Sequence, residues 1–419
     1  MARLSTDDEL PGVPARRAAL RLLDAVLRRG DPLDQAAPPV LRAIERGDDR
    51  ALALAIAAEA LRWLPDLDRL IDGATRQILP EDAKARSVLR LMLAQALRLD
   101  LPPHAVIATG LPLLTGGPRR LAHGVFSAVL RGEGLPAAPT LPAKVLERWN
   151  AAWPTRVEAI AAGLAVPPPL DLSLRDAART AEWTERLGGV SLARGHVRLA
   201  RGGAIESLEG FAEGAWWVQD LAASIPARLL GAGEGRRVLD LCAAPGGKTM
   251  QLAAAGWNVT ALDKSARRLE RLRENVARVG LAVDVVAADA MQWRPPAELF
   301  DAVLIDAPCS ASGTCRRHPD VLHRLVDQPG LEDLQRALLE RASGAIRAGG
   351  RLVYAVCSLE PGEGEAQAEW VKALGRVPIT ADQLPAGLTP TPEGWLRSDP
   401  GMLADYGGID GFFAAMWEK

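Results

Sequence analysis

Apolar residues recur every three to four positions from about residue 14 to residue 135, and nothing in that stretch alternates with period two. In residues 15–27 this spacing places Leu20, Leu23 and Leu27 on one helix face, and residues 87–99 repeat the pattern. Glycine and proline positions separate the periodic stretches from one another. The pattern predicts an all-helical first domain over residues 1–138.

A proline-punctuated stretch, residues 135–142, separates this domain from a segment with a different pattern. We expect one helix over 143–165, an extended stretch over 167–174, a helix over 176–187 and an extended stretch over 190–199. This order predicts a small α/β subdomain over residues 143–215.

From about residue 235, short apolar runs alternate with amphipathic stretches, which is typical of a parallel sheet with crossover helices. Residues 265–279, with Leu269, Leu272 and Val276 on one side, predict one of these helices. The predicted strands are residues 237–242, 258–263, 283–288, 300–306, 350–357 and, at the chain end, 411–417. We therefore expect a Rossmann-like α/β domain over residues 216–419.

The composition narrows the possible partners and compartment. The chain has 419 residues and a formal net charge of −2, so any RNA surface must be a local patch. Its four cysteines form no Cys-x-x-Cys pair and only five histidines accompany them, so no metal site is predicted. The sequence shows no secretory leader, which favours a reducing cytosol, and no segment has the length of a membrane span.

A glycine-rich turn, residues 239–249, lies between the first strand of the α/β domain and a helix. Gly246 and Gly247 permit close approach of a ligand, and backbone N–H groups at a helix start favour a nucleotide. Asp263 ends the next strand, where a carboxylate can accept both ribose hydroxyls, and Asp289 ends the third, near the base. The predicted nucleotide-binding residues are Cys242, Ala243, Ala244, Pro245, Gly246, Gly247, Lys248, Asp263, Asp289 and Asp306.

Two alternatives remain open for this turn. It is one residue away from a phosphate-binding P-loop, because Cys242 stands where the first glycine belongs. It could also be a packing turn that binds nothing. Asp263 favours a ribose-containing cofactor, since a ribose-binding carboxylate is not part of the P-loop design.

Cys309 and Cys357 each directly follow the end of an apolar strand. Open parallel sheets bind their ligands at that edge, so both thiols are expected beside the nucleotide turn. Cys242 is interpreted as a small buried hydrophobic residue, and Cys315, on a loop, is assigned no role. Two thiols next to a cofactor suggest sulfur chemistry on a substrate.

The chain resembles a known family over essentially its whole length. The residues that carry the resemblance are 218–220, 239–249, 306–313, 316–320, 354–358 and 410–413. They are similar to motifs of the Sun (Fmu, RsmB-type) RNA cytosine-C5 methyltransferases. This resemblance implies S-adenosylmethionine as cofactor, a class I methyltransferase domain with a seven-stranded, mostly parallel sheet, and a NusB-like RNA-binding domain in front.

The resemblance also implies roles for the site residues. Cys357 would be the nucleophile that adds to C6 of cytosine and so makes C5 reactive toward a methyl group. Asp306 would hydrogen-bond the base near N3, and Cys309 would assist release of the product. Val356 stands where the family usually has threonine, which leaves the fine positioning of the base open.

The helical domain favours 16S ribosomal RNA as substrate, and the second strand-end cysteine favours RNA over DNA. Arg316 and Arg317 follow the Cys309 loop and are predicted to contact RNA phosphates. The alternative substrate is tRNA, and the alternative class is a non-catalytic RNA-binding or assembly factor. We expect a cytoplasmic monomer that binds neither DNA nor a membrane.

Overall fold

The computed structural model describes residues 10–200, 203–324 and 330–419. These residues form two compact units. The first contains residues 10–165 and 317–324, and the second contains the described residues 166–316 and 330–419. The beginning of the first predicted domain lies outside the described residues. The finer division into three domains stays a prediction.

The first unit is built of helices, as the apolar spacing predicts. Up to residue 165 they are α1 (Val13–Arg29), α2 (Leu33–Leu41), α3 (Gly47–Arg62), α4 (Leu64–Gly73), α5 (Lys84–Arg98), α6 (Pro103–Gly110), α7 (Gly116–Val129), α8 (Ala143–Ala152) and α9 (Val157–Gly163). α5 is buried along residues 85–95, including Arg86 and Arg90. Asp68 lies 2.9 and 2.7 Å from their guanidinium groups, and this pairing allows the charges to be buried.

The single helix expected over residues 143–165 is interrupted between α8 and α9. Trp153 leaves the helical region, with φ −132° and ψ 54°. It precedes Pro154, whose ring disfavours helical backbone in the residue before it.

The second unit begins with a small antiparallel sheet of β1 (Leu170–Leu174), β2 (His196–Leu199) and β3 (Trp216–Val218), in the order β2-β1-β3. Helix α10 (Thr180–Arg186) lies between β1 and β2 in the chain. Trp216 is fully buried in the apolar cluster beneath this sheet. The predicted extended stretches and helix of this segment are therefore present.

The larger sheet contains β4 (Arg237–Leu241), β5 (Asn258–Asp263), β6 (Asp284–Ala287), β7 (Phe300–Asp306), β8 (Ile346–Val356), β9 (Gly375–Val377), β10 (Leu396–Ser398) and β11 (Phe412–Glu418). Its continuous order is β10-β11-β8-β7-β4-β5-β6, and β9 also pairs with β11. Strands β4 to β8 run parallel, while β11 is antiparallel to β8, β9 and β10. The expected α/β class is confirmed. The sheet has one strand more than the expected seven, because β9 is added beside β11.

The helices of the second half of the chain are α11 (Leu221–Arg228), α12 (Gly247–Ala254), α13 (Ala266–Val279), α14 (Val321–Arg324), α15 (Leu331–Ala345) and α16 (Glu365–Trp370). α14 belongs to the first unit and the others to the second. None of the described helices is both long and apolar enough to span a bilayer.

The carboxyl ends of β4, β5, β7 and β8 meet at one edge of the larger sheet. The chain leaving these ends carries the glycine-rich turn, Asp263 and the loops that contain Cys309 and Cys357. β7 and β8 are parallel neighbours, with Asp306 opposite Ala355, so the two cysteine loops begin side by side. This edge is where a doubly wound sheet binds ligands.

Candidate active site

The turn after β4 brings backbone close to the predicted nucleotide pocket. Cys242 and Gly246 both have positive φ, 63° and 103°. A Cβ on Gly246 would lie 2.9 Å from Cγ of Leu272, so a side chain there would push against the Leu272 side chain of α13. α12 begins at Gly247, and its first backbone N–H groups have no partner within the helix. The residues between Cys242 and Gly246 are Ala243, Ala244 and Pro245.

Asp263 and Asp289 share one pocket with this turn. The side chain of Asp263 is 2 % exposed, and its two oxygens accept from the backbone N–H groups of Ala244 at 3.2 Å and Ser265 at 2.8 Å. These bonds fix the orientation of the carboxylate. The pocket is lined by Cys242, Asp263, Arg268, Asp289, Met291 and Pro308, among others. The structure thus brings together the nucleotide-binding residues that β4, β5 and β6 were predicted to deliver.

Arg268 was not predicted from the sequence as a site residue. Its guanidinium donates to the carbonyl oxygen of Ala244 and lies 3.4 Å from Oδ2 of Asp263. The available signal was its position, one helical turn after the end of β5. Arg268 therefore links the glycine-rich turn to the predicted ribose carboxylate.

Lys248 is paired with Asp306. Its Nζ donates to Oδ2 of Asp306 at 2.7 Å and lies 5.1 Å from the centre of the Phe412 ring. The Lys248 side chain is 8 % exposed, whereas that of Asp306 is 35 % exposed. The pair places a positive and a negative charge at the end of β7. Both residues were predicted as nucleotide contacts. Their pairing with each other and the contact of Lys248 with the Phe412 ring were not predicted.

Asp240 lies buried beneath the turn, and it too was not predicted from the sequence as a site residue. Thr249 Oγ1 donates to its Oδ2 at 2.6 Å. Burial raises the pKa of Asp240 to about 7, although the hydrogen bond from Thr249 opposes the rise. This carboxyl group therefore titrates near neutral pH in the folded protein.

Cys309 and Cys357 meet beyond the ends of β7 and β8. Their sulfur atoms are 3.5 Å apart, and both are free thiols. The hydrogen bond with the Cys357 sulfur, followed by burial and the charges of Cys357 and Glu363, raises the pKa of Cys309 well above its usual value. Cys309 therefore keeps its proton at neutral pH.

The other two cysteines differ in their surroundings, since Cys242 borders the pocket beside Asp263 and Cys315 lies in the protein interior. Cys315 is fully buried, and burial raises the pKa of Cys242 to about 12. Neither thiol has the environment of an activated nucleophile. Among the residues that the structure describes, no group of three or more His, Cys, Asp or Glu side chains could hold a metal ion.

Backbone hydrogen bonds hold the loops around the cysteines together. The N–H of Gly313 donates to the carbonyl oxygen of Cys357 at 3.1 Å, and the N–H of Gly411 donates to that of Gly313 at 2.8 Å. A Cβ on Gly313 would overlap the carbonyl oxygen of Gly411. The close approach of these three loops therefore requires glycine at position 313.

Arg316 is not available as an RNA contact. It is 1 % exposed, its guanidinium donates to the carbonyl oxygen of Gly407, and it lies 3.7 Å from Asp410. A phosphate contact requires an exposed guanidinium, so this part of the prediction is corrected: Arg316 holds the 407–410 segment. Arg317 is half-buried and belongs to the first unit, and its contact with RNA stays a prediction.

Two parts of the chain match known families. Residues 227–394 match the family described as 16S rRNA methyltransferase RsmB/F, and residues 13–132 match the NusB family. Ribosomal RNA small subunit methyltransferase B of Pseudomonas putida is 36% identical over 434 residues, covering 96% of this chain and 97% of that protein. The chain belongs to the RsmB/F family. The protein of the same name from Xanthomonas campestris pv. campestris is 36% identical, covering 87% of this chain and 89% of its own.

Solved structures agree with the fold. The crystal structure of PH0851 covers 100% of both chains with a TM-score of 0.75 at 22% identity. A methyltransferase homolog protein from Pyrococcus horikoshii has a TM-score of 0.55 at 26% identity, covering 66% of this chain and 95% of its own.

Membership of the RsmB/F family makes this chain an S-adenosylmethionine-dependent RNA methyltransferase. The predicted family, the NusB-like helical domain and the cofactor are thereby confirmed. The P-loop and the non-catalytic alternatives are not supported, because this family consists of enzymes that use S-adenosylmethionine.

Proposed function

We propose that this RsmB/F enzyme methylates C5 of a cytosine in 16S ribosomal RNA through a covalent bond between Cys357 and C6. The observation that carries the proposal is the 3.5 Å separation of the Cys309 and Cys357 sulfurs, beside Asp306. Cytosine C5 is too weak a nucleophile to take a methyl group unaided, and addition of one thiolate to C6 makes it enamine-like. A second thiol at that distance can assist the later step in which the bond between Cys357 and C6 breaks.

The Cys357 thiolate forms a bond to C6, and the electrons of the C5–C6 double bond become available at C5. C5 would then take the methyl group that S-adenosylmethionine supplies when bound, as the methyl–sulfonium bond breaks and S-adenosylhomocysteine leaves. The C5 proton is then lost to solvent, the C5–C6 double bond re-forms and the C6–sulfur bond breaks. Cys309, which keeps its proton, donates a hydrogen bond to the departing sulfur of Cys357.

Asp306 and Lys248 act on the base. In this proposal Asp306 hydrogen-bonds the edge of the cytosine near N3. The Lys248 ammonium group, 2.7 Å from Asp306, stabilises the negative charge that moves into the ring when the thiolate adds. The two side chains thus favour the adduct over the free base.

The residues at the pocket fit S-adenosylmethionine. Asp263 presents an oriented carboxylate for the ribose hydroxyls, and Asp289 lies on the same pocket for the base. Gly246, with φ 103°, gives the turn the left-handed backbone from which α12 starts. We propose that the cofactor is held by residues 242–248 together with Asp263, Asp289 and Asp306.

The choice of 16S ribosomal RNA is supported by the names of the relatives, which act on small-subunit rRNA. We assign RNA binding to the helical domain, residues 1–138, a linking role to the subdomain 143–215, and catalysis to residues 216–419. Arg317 remains the proposed phosphate contact. The enzyme is proposed to act on RNA rather than DNA, as a monomer, in the cytoplasm.

Transfer of a labelled methyl group tests this function. Unmodified 16S rRNA and bulk tRNA are incubated separately with the enzyme and labelled S-adenosylmethionine, followed by nucleoside analysis. We expect 5-methylcytidine in the rRNA only. Label confined to tRNA would contradict the substrate, and label on another base would contradict the reaction.

Two cysteine variants test the roles. Cys357→Ala should abolish labelling, because no adduct can form. Cys309→Ala should leave protein covalently attached to RNA, visible as a band of reduced mobility on a denaturing gel. If the two variants exchanged these phenotypes, the assignment of nucleophile and release residue would be wrong.

A further inference from the structure

A cluster of three hydroxyl groups and one carboxylate lies between the two cysteine loops. It consists of Ser310, Ser312, Ser358 and Glu363, and we call it the serine–glutamate cluster. Ser310 directly follows Cys309, and its Oγ lies 3.1 Å from Oγ of Ser358 and 3.2 Å from Oγ of Ser312. Because Ser358 directly follows Cys357, the cluster connects the residues adjoining both thiols.

Glu363 anchors this cluster. Its Oε1 accepts from the backbone N–H of Ser310 at 2.9 Å, and its Oε2 accepts from the Ser310 hydroxyl at 2.8 Å. Glu363 is 5 % exposed, and a buried carboxylate is stable only when donors satisfy it. Here two donors come from one residue, which is the residue after Cys309.

The glutamate is itself held by β8. The hydroxyl of the buried Tyr354 donates to the backbone carbonyl oxygen of Glu363 at 2.6 Å. The position of Ser310, and with it the Cys309 sulfur, is thus fixed by a side chain from the Cys357 loop. Glu363 therefore contributes, from outside both catalytic residues, to the placement of the Cys309 loop against the Cys357 loop.

The negative charge of Glu363 and its hydrogen bonds to Ser310 both favour Cys309 as a donor to the Cys357 sulfur. The Glu363 carboxylate contributes to the raised pKa of Cys309, after the contact with Cys357 and burial. A thiol that keeps its proton can donate to the sulfur of Cys357, 3.5 Å away. That donation favours departure of the sulfur from the methylated base, not its attack on the unmethylated one.

We propose that Glu363 is a positioning residue that, through Ser310, holds the Cys309 thiol against the Cys357 sulfur and so promotes release of the methylated RNA. The inference rests on the proposed function, in which Cys357 forms the adduct and Cys309 assists its breakdown. Glu363 acts through Cys309 and touches neither the base nor the cofactor in this proposal.

The variant Glu363→Gln tests the inference. Glutamine keeps the size and one acceptor oxygen, but its NH2 group cannot accept from Ser310. With 16S rRNA and S-adenosylmethionine, we expect the first turnover to stay within roughly threefold of wild type and later turnovers to slow about tenfold or more. A covalent protein–RNA band should accumulate on a denaturing gel, as for Cys309→Ala.

Glu365→Gln is the matched control. Glu365 lies in the same turn, but its carboxylate pairs with Arg397 at 2.9 and 2.6 Å instead of with the Cys309 loop. Glu365→Gln loosens the same segment but leaves the Glu363–Ser310 bonds intact. Such loosening would slow adduct formation and adduct release alike, so we expect this variant to accumulate no adduct.

The outcomes separate the inference from the proposed function. If Cys309→Ala accumulates adduct while Glu363→Gln slows all turnovers equally without adduct, the inference is overturned. If Glu363→Gln does not fold, Ser310→Ala, which removes one of the two donors, should accumulate adduct, and its failure to do so would overturn the inference. Absence of adduct in Cys309→Ala would instead overturn the proposed release role itself.

Discussion

Lys248 brings a buried positive charge to the proposed reaction, since its ammonium group is paired with Asp306. Methionine at position 248 keeps the length and removes the charge. We expect the single-turnover rate of methyl transfer to fall by roughly 10²–10³-fold, because a preorganised charge at the ring is lost. S-adenosylmethionine affinity, measured by calorimetry, should change far less, because the contacts proposed for residues 242–248 are made by backbone groups that the substitution leaves in place. Lys372→Met, at an exposed lysine, is the control, and an equal loss of affinity and rate would assign Lys248 to cofactor binding.

Asp240 makes the stability of the enzyme depend on pH. Its pKa is about 7 in the folded protein, against about 4 in an unfolded chain, so the folded state binds the proton more tightly. This contribution to the free energy of unfolding is complete below about pH 4 and is lost as the pH rises to about 7. Asp240→Asn has no proton to lose. Relative to wild type it should gain about 2–3 kcal/mol between about pH 5 and about pH 8, measured by urea unfolding, and a constant difference would contradict the raised pKa.

The two sulfur atoms at 3.5 Å also predict a redox reaction. Hydrogen peroxide oxidises one cysteine to a sulfenic acid, and the second thiol displaces water, so two thiols and one peroxide give a disulfide and two waters. We expect methyl transfer to be lost and then restored by dithiothreitol. Peptide mapping should find Cys309 joined to Cys357, and Cys309→Ser should form no such disulfide. A disulfide that used Cys242 or Cys315 would contradict the prediction.

At the scale of elements, the loops after β7, β8 and β10 are held by backbone contacts that a single methyl group can break. Gly313→Ala would push the Cys309 loop away from Gly411. We expect methyl transfer to fall by about tenfold or more, while S-adenosylmethionine binding is retained, because the cofactor turn follows a different strand. Gly344→Ala, in α15 with open space around its Cα, is the control and should stabilise the helix by up to about 1 kcal/mol. Full activity in Gly313→Ala would show that the loop contact is dispensable.

The strands that carry the site were predictable because they are long apolar runs bounded by turn residues. β7 was expected over 300–306 and is observed over Phe300–Asp306. β3, β9 and β10 have 3 residues each, which is too short for any periodicity, and all three were missed. The interruption between α8 and α9 had a local signal in Pro154 that the apolar spacing outweighed.

The side-chain partners of the site could not be predicted in the same way. Lys248 and Asp306 are 58 positions apart, and Glu363 and Ser310 are 53 apart, so no local pattern records either pairing. The burial of Arg316 has the same origin, because its partners come from the 407–410 segment. Sequence motifs placed these residues near the sheet edge, and only tertiary structure decides which of them touch.

At the scale of the whole molecule, the first unit is completed by a segment far along the chain. Residues 317–324 belong to that unit, and three of their side chains bond its backbone. His323 Nε2 donates to the carbonyl oxygen of Leu61 at 2.7 Å, and Arg324 Nε donates to that of Gly30 at 2.9 Å. Asp320 Oδ2 accepts from the backbone N–H of Leu33 at 3.1 Å. The helical unit is therefore not a contiguous stretch of sequence.

Asp320 acts as a remote cap for α2. This helix has 9 residues, contains Pro38 and Pro39, and receives no capping bond from the residue before it. Prolines inside a helix remove backbone hydrogen bonds. α2 therefore depends more than most helices on a carboxylate that accepts a hydrogen bond from the backbone N–H groups at its start. That carboxylate lies 287 positions away, so part of the stability of α2 comes from a segment of the methyltransferase half of the chain.

Asp320→Ala should therefore loosen α2 without touching the catalytic residues. We expect the local stability of residues 33–41 to fall by about 1–2 kcal/mol, seen as roughly five- to thirtyfold faster amide hydrogen exchange. Asp34→Ala, at an exposed aspartate in the first turn of the same helix, should have a smaller effect, because it removes only a charge near the helix start. Equal exchange in the two variants would mean that α2 is stabilised by local charge alone, and that the inserted segment contributes packing rather than a cap.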